Sequence, residues 1–157
     1  MTVNDRAGVR YAETPVQKAA LIVGIVFLVV GVAGFIPGVT TDVAVMQFAG
    51  HESGALLLGV FQVSILHNIV HLLFGVAGVA LARTSGGARN YLIWGGAVYA
   101  LLWLYGLFIA DDSVANFVPM NTADDWLHFV LAVGMILLGV LLGRRVGTAR
   151  PAVNDRR

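Results

Sequence analysis

Three histidines stand inside apolar stretches of this chain, and their spacing is the feature that could carry chemistry. His67 and His71 are four residues apart, so on a helix they share one face. Ser64 lies three residues before His67, and Gly75 and Gly78 continue that face. A stripe of polar and small residues belongs in a bundle interior. Asp124 and His128 repeat the four-residue spacing near the end of the chain. Imidazoles with a carboxylate form the donor set of zinc or another divalent ion. Two opposed imidazoles could hold a haem, and intramembrane histidine also marks proton paths. Each of these readings meets an obstacle. His-x-x-x-His lacks the glutamate of a zinc-protease motif. One facing pair alone is available for haem, and no polar residues continue inward beyond His71. The plainer reading is a network of neutral His, Asn, Ser and Tyr side chains hydrogen-bonded across helices. It comprises His67, Asn68, His71, Tyr105, Asp124 and His128, needs no cofactor and implies no catalysis. The alternative is a metal- or haem-binding layer with His67, His71 and His128 as ligands.

Four segments must position these residues. Of 157 residues, 58% are hydrophobic and 12% charged, about half the charge of a soluble domain. Residues 19–36, 54–82, 90–110 and 126–143 contain no Asp, Glu, Lys or Arg. Each is long enough, or nearly so, to cross about 30 Å of hydrocarbon as a helix. The expected architecture is an all-α four-helix transmembrane bundle over 15–143, with spans at about 15–36, 54–82, 91–110 and 123–143. Residues 1–14 and 144–157 form polar tails, the second of them basic. The segment 43–48 suggests a short surface helix. Pro15 fits the first turn of helix one, and Pro37-Gly38 ends it. Thr122 with Asp125 fits a capping box for helix four. Tyr91 and Trp126 suit interfacial belts. Gly24, Gly31, Gly34, Gly95 and Gly96 permit close helix approach, inside one bundle or between protomers.

Charge sets the orientation. Arg6, Arg10, Lys18, Arg83, Arg89, Arg144, Arg145, Arg150, Arg156 and Arg157 all fall on one side. The loops 37–53 and 111–125 contain no Lys or Arg, and hold Asp42, Glu52, Asp111, Asp112, Asp124 and Asp125. The positive-inside rule puts both termini in the cytoplasm of a multi-pass plasma-membrane protein. Measured from Arg83, Arg89 and Arg144, the residues His67, Tyr105 and His128 lie at one depth, about 24 Å along their helices.

Several functions are excluded. The chain has no Cys, hence no disulfides, thiolate metal sites or Fe–S clusters. Phosphoryl-transfer and nucleophile-elbow motifs are missing, and no strand is expected to carry a dinucleotide fingerprint. The basic residues are too scattered for nucleic acid and suit membrane anchoring. The expected partners are membrane lipids and either a second copy or another membrane protein.

Leu66-His67-Asn68-Ile69-Val70-His71-Leu72-Leu73-Phe74-Gly75, followed by Asp125-Trp126-Leu127-His128, resembles a four-span actinobacterial membrane family catalogued as domain of unknown function 4383. The resemblance covers roughly 15–143, including Gly34-Phe35-Ile36-Pro37-Gly38. It implies a plasma-membrane location and four helices, with no established activity.

Overall fold

The computed structural model describes residues 11–144. Of the arginines expected to make the second tail basic, only Arg144 lies within them. Four helices form a compact bundle: α1 (Pro15–Ala33), α2 (Ile65–Leu81), α3 (Ser85–Phe108) and α4 (Thr122–Gly143). Helices α1, α3 and α4, of 19, 24 and 22 residues, are long and apolar enough to cross a membrane. The apolar α2 has 17 residues.

Each helix begins on a side-chain cap that accepts from an otherwise orphaned backbone N–H. Thr14 and Gln17 close a reciprocal box at α1. Ser64 Oγ accepts from His67 N at 3.1 Å, and Thr84 Oγ1 from Gly87 N at 3.0 Å. At α4 the cap is Asn121, whose Oδ1 accepts from Ala123 N and Asp124 N. Asp124, rather than Asp125, closes that box by accepting from Asn121 N. The expected Thr122–Asp125 pairing is therefore displaced by one residue.

The span expected at 54–82 is the main correction. Residues 54–64 are not helical. Their apolar run forms two short strands, β2 (Leu56–Leu57) and β3 (Phe61–Gln62); β2 pairs with both β3 and β1 (Thr40–Thr41) in an antiparallel sheet of order β1-β2-β3. A short apolar run cannot be assigned to helix or strand by periodicity alone. Here Gly59, at φ +70°, supplies the left-handed turn between β2 and β3, and Ser64 delays the helix to Ile65. The expectation of no strands fails for the same reason. Helix α1 stops at Ala33 rather than Ile36, because its last turn tightens to three-residue hydrogen bonds before Pro37. Helix α3 starts at Ser85, ahead of the expected Tyr91. The surface helix at 43–48 shrinks to one 3-10 turn, Val43–Val45.

Packing pairs α1 with α2 and α3 with α4, the two pairs meeting chiefly through α1 and α3. Gly24 sits on the α2 backbone, where a Cβ would stand 2.8 Å from Val79 N. Gly96 and Gly139 bring α3 and α4 together in the same way. Gly95 also faces the bundle, against Met135. Tyr91 turns inward and is 5% exposed, with its ring over Gly78, rather than lying in an interfacial belt. Phe27, Tyr99, Leu92, Ala132 and Met135 make the central core. At the end of the bundle near the tails, Gln17 Nε2 donates to Arg83 O at 3.0 Å, joining α1 to the α2–α3 turn. At the other end, residues 37–64 and 109–121 build a cap.

Candidate functional site

The bundle and its cap enclose a chamber of about 100 Å³ bordered by His67, His71, Asp124 and His128. Leu57, Leu58, Phe61 and Val63 of the cap, with Val30 and Leu127, complete its walls. The expected convergence of the helix-two pair with His128 is thus present, and all three imidazoles are buried. His67 and His71 stack with ring centroids 4.6 Å apart. His67 and His128 stand 6.4 Å apart, tilted by 45°.

The hydrogen bonds explain how these rings are fixed. His67 Nδ1 lies 3.2 Å from Pro119 O, and His71 Nδ1 lies 3.1 Å from His67 O. A carbonyl only accepts, so both Nδ1 atoms carry the hydrogen. Asp124 Oδ2 accepts from Gln62 N at 3.0 Å and from Asn121 N at 3.1 Å. The first of these bonds ties β3 to α4. His128 makes no hydrogen bond among the described residues, and its Nδ1 is buried without a partner.

Two expected members of the layer are elsewhere. Asn68, 1% exposed, is one residue beyond His67 and so faces another direction. Its Nδ2 donates to Met46 Sδ at 3.7 Å, and its amide rests on Gly34. The Tyr105 hydroxyl donates to Ala115 O in the α3–α4 loop, and its ring borders a separate groove with Phe117 and Met120. Equal spacing from the basic anchors says nothing of the direction of Tyr105 around its helix. Tyr99 occupies the role instead. Its ring is 5.1 Å from His128 and 5.4 Å from Phe27, on which it stacks. The available signal was its spacing: Tyr99 follows Gly95 by one turn, on the small-residue face of α3. Phe27, Phe74 and Tyr99 form a ring cluster directly beneath His71.

For chemistry, this arrangement offers nitrogen and carboxylate lone pairs in an otherwise apolar enclosure. Among the described residues it offers no nucleophile–base pair. Among the described residues no group of three or more His, Cys, Asp or Glu is placed to hold a metal ion, so the metal-ligand alternative for His67, His71 and His128 is not supported. The bis-imidazole haem reading gains nothing either, because the two interhelical rings are neither parallel nor separated by a plane.

No curated protein and no solved structure matches the chain. A family model does match, over residues 17–141, a range that takes in all four helices and the cap apart from the outermost turns of α1 and α4. Together with the apolar helices, that match marks a membrane protein, and the chain belongs to the family described as domain of unknown function (DUF4383).

Proposed function

We propose that this protein is a non-catalytic accessory bundle of the plasma membrane, with both termini cytoplasmic and the cap on the outer surface. Membrane lipids surround it, and it works beside a second copy or another membrane protein. The observation that supports this reading is the use made of the polar layer. His67 reaches Pro119, 52 residues away, and Asp124 reaches Gln62, 62 residues away. Both bonds fasten cap to bundle across the fold. Satisfying buried backbone groups in this way is structural chemistry. The arrangement resembles a lid fixed to its vessel rather than a reaction centre.

The test is His67→Phe, which keeps a ring of comparable size and removes the bond to Pro119 O. Losing one buried hydrogen bond and orphaning its carbonyl costs about 1–3 kcal/mol. The expected result is a lower melting temperature in detergent, with faster proteolysis confined to 37–64 and 109–121. Unchanged stability and an unchanged cleavage pattern would overturn the structural role.

A further inference from the structure

We propose that the chamber under the cap is a binding site for a small hydrogen-bond-donating cation, ammonium or a short primary alkylammonium. This goes beyond the accessory reading, because it uses lone pairs that the cap-fastening bonds leave over.

The lining decides the ligand class. His71 gives its Nδ1 hydrogen to His67 O, so the neutral ring presents a bare Nε2 lone pair. Asp124 receives two N–H groups on Oδ2, and its other oxygen makes no hydrogen bond among the described residues. His128 is 3% exposed and its ring makes no hydrogen bond among the described residues, with Nδ1 fully buried. Among the described residues no Lys or Arg borders the chamber. A site rich in acceptors, holding a carboxylate and no cation, is complemented by a positively charged donor.

Size and distance separate this cation from a metal ion. Zinc requires several ligand atoms within about 2.0–2.3 Å of one point. No group of three suitable residues among those described converges in that way. An ammonium bridges acceptors at about 2.7–3.2 Å, which suits a looser set. A water-sized group needs about 10–15 Å³ on this measure of volume, so 100 Å³ admits an ammonium head and a short chain.

The two ends of the chamber differ. Beneath His71 the cluster of Phe27, Phe74 and Tyr99 closes the bundle, so the site binds and does not conduct. Val30 of α1, Leu127 of α4 and Leu58 at the β2–β3 turn give the chamber apolar walls. Leu58 is 67% exposed and holds φ at +55°, a conformation that a branched side chain rarely adopts. Strain of this kind gathers at ligand clamps. Hydrocarbon walls of this kind accept the alkyl part of an amine.

The experiment uses the full chain in lipid nanodiscs with ¹⁵N-labelled histidine. Ammonium, propylammonium, hexylammonium, tetramethylammonium and Zn²⁺ chlorides are titrated separately, reading imidazole ¹⁵N shifts and melting temperature. Primary ammonium ions should shift the His71 and His128 signals saturably and raise the melting temperature. Affinity should rise with chain length, by about fourfold at most per buried methylene. Tetramethylammonium, which carries the charge without a donor, should do neither. His128→Phe should weaken binding at least tenfold, and because that ring makes no hydrogen bond the variant should still fold. His71→Phe is the second variant. The proposal fails if no primary ammonium gives a saturable response, if tetramethylammonium matches propylammonium, or if Zn²⁺ acts at lower concentration than ammonium. These outcomes are independent of the His67→Phe stability result, which tests the fastening of the cap.

Discussion

Replacing Gly24 with Ala should destabilise the protein through a single methyl group. A Cβ at this position would lie 2.8 Å from Val79 N, 3.0 Å from Gly75 O and 3.0 Å from Gly78 C. Optimal heavy-atom contacts begin near 3.5 Å, so α2 would have to retreat by about 0.5–0.7 Å. All three atoms are backbone, and no rotamer change can make room. The retreat would also loosen Gly78 against Gly24 and Gly75 against Leu28, contacts that depend on the same crossing. Overpacking of this kind costs about 1–3 kcal/mol. Exchanging a helical Gly for Ala returns about 1 kcal/mol through backbone entropy, which masks part of the loss. Gly134→Ala removes that ambiguity. It is also helical, and a Cβ there meets nothing within 4 Å. The entropic gain is common to both variants, so their difference isolates the steric term at about 1–3 kcal/mol. Reversible unfolding in mixed SDS micelles would measure it. A difference below about 0.5 kcal/mol, within the scatter of inert substitutions, would refute a rigid backbone contact at this crossing.

Two other predictions address orientation and capping. Cysteines introduced singly at Thr41 and Ser113 should react with an impermeant thiol reagent on intact cells and one at Gly86 should not; the reverse pattern would invert the proposed topology. Asn121→Ala should destabilise by about 0.5–2 kcal/mol, as loss of an N-cap does, whereas Thr122→Ala should be near neutral in the same melting assay; equal losses would restore Thr122 as the cap.

The helical framework was legible because hydrophobic runs and their boundaries are strong signals. Pro15, Pro37-Gly38 and the distribution of Lys and Arg mark where apolar segments begin and end. The histidine stripe was legible for a related reason, since His67, His71, Gly75 and Gly78 repeat at helical spacing and all are buried. The cap was not. Ala55, Leu57 and Val63 are as apolar as any membrane residue, and they are buried inside the cap rather than within a helix. A run of Leu and Val states that water is excluded, not by what. Rotation around a helix was equally hidden. Tyr105 and Tyr99 are both tyrosines on α3, and their difference lies in which one follows a glycine face. The capping of α4 by Asn121 was missed by one residue because Asn121-Thr122 offers two acceptable caps and Asp124-Asp125 two acceptable partners.

The cap also constrains the order in which the chain can be assembled. Its sheet is made from residues between α1 and α2, the first half to leave the ribosome. Its fastenings, Pro119, Asn121 and Asp124, all belong to the stretch that introduces α4. Until that stretch arrives, the first helical pair must hold the imidazole of His67 and the backbone amide of Gln62 without their native partners, close to a bilayer in which unsatisfied polar groups cost several kcal/mol. The half-made protein is therefore an intermediate with a polar flaw, repaired only by the last helix. Truncation after α3 would leave that flaw permanent, which gives a membrane-protein quality-control system a chemical feature by which to tell an unfinished chain from a completed one.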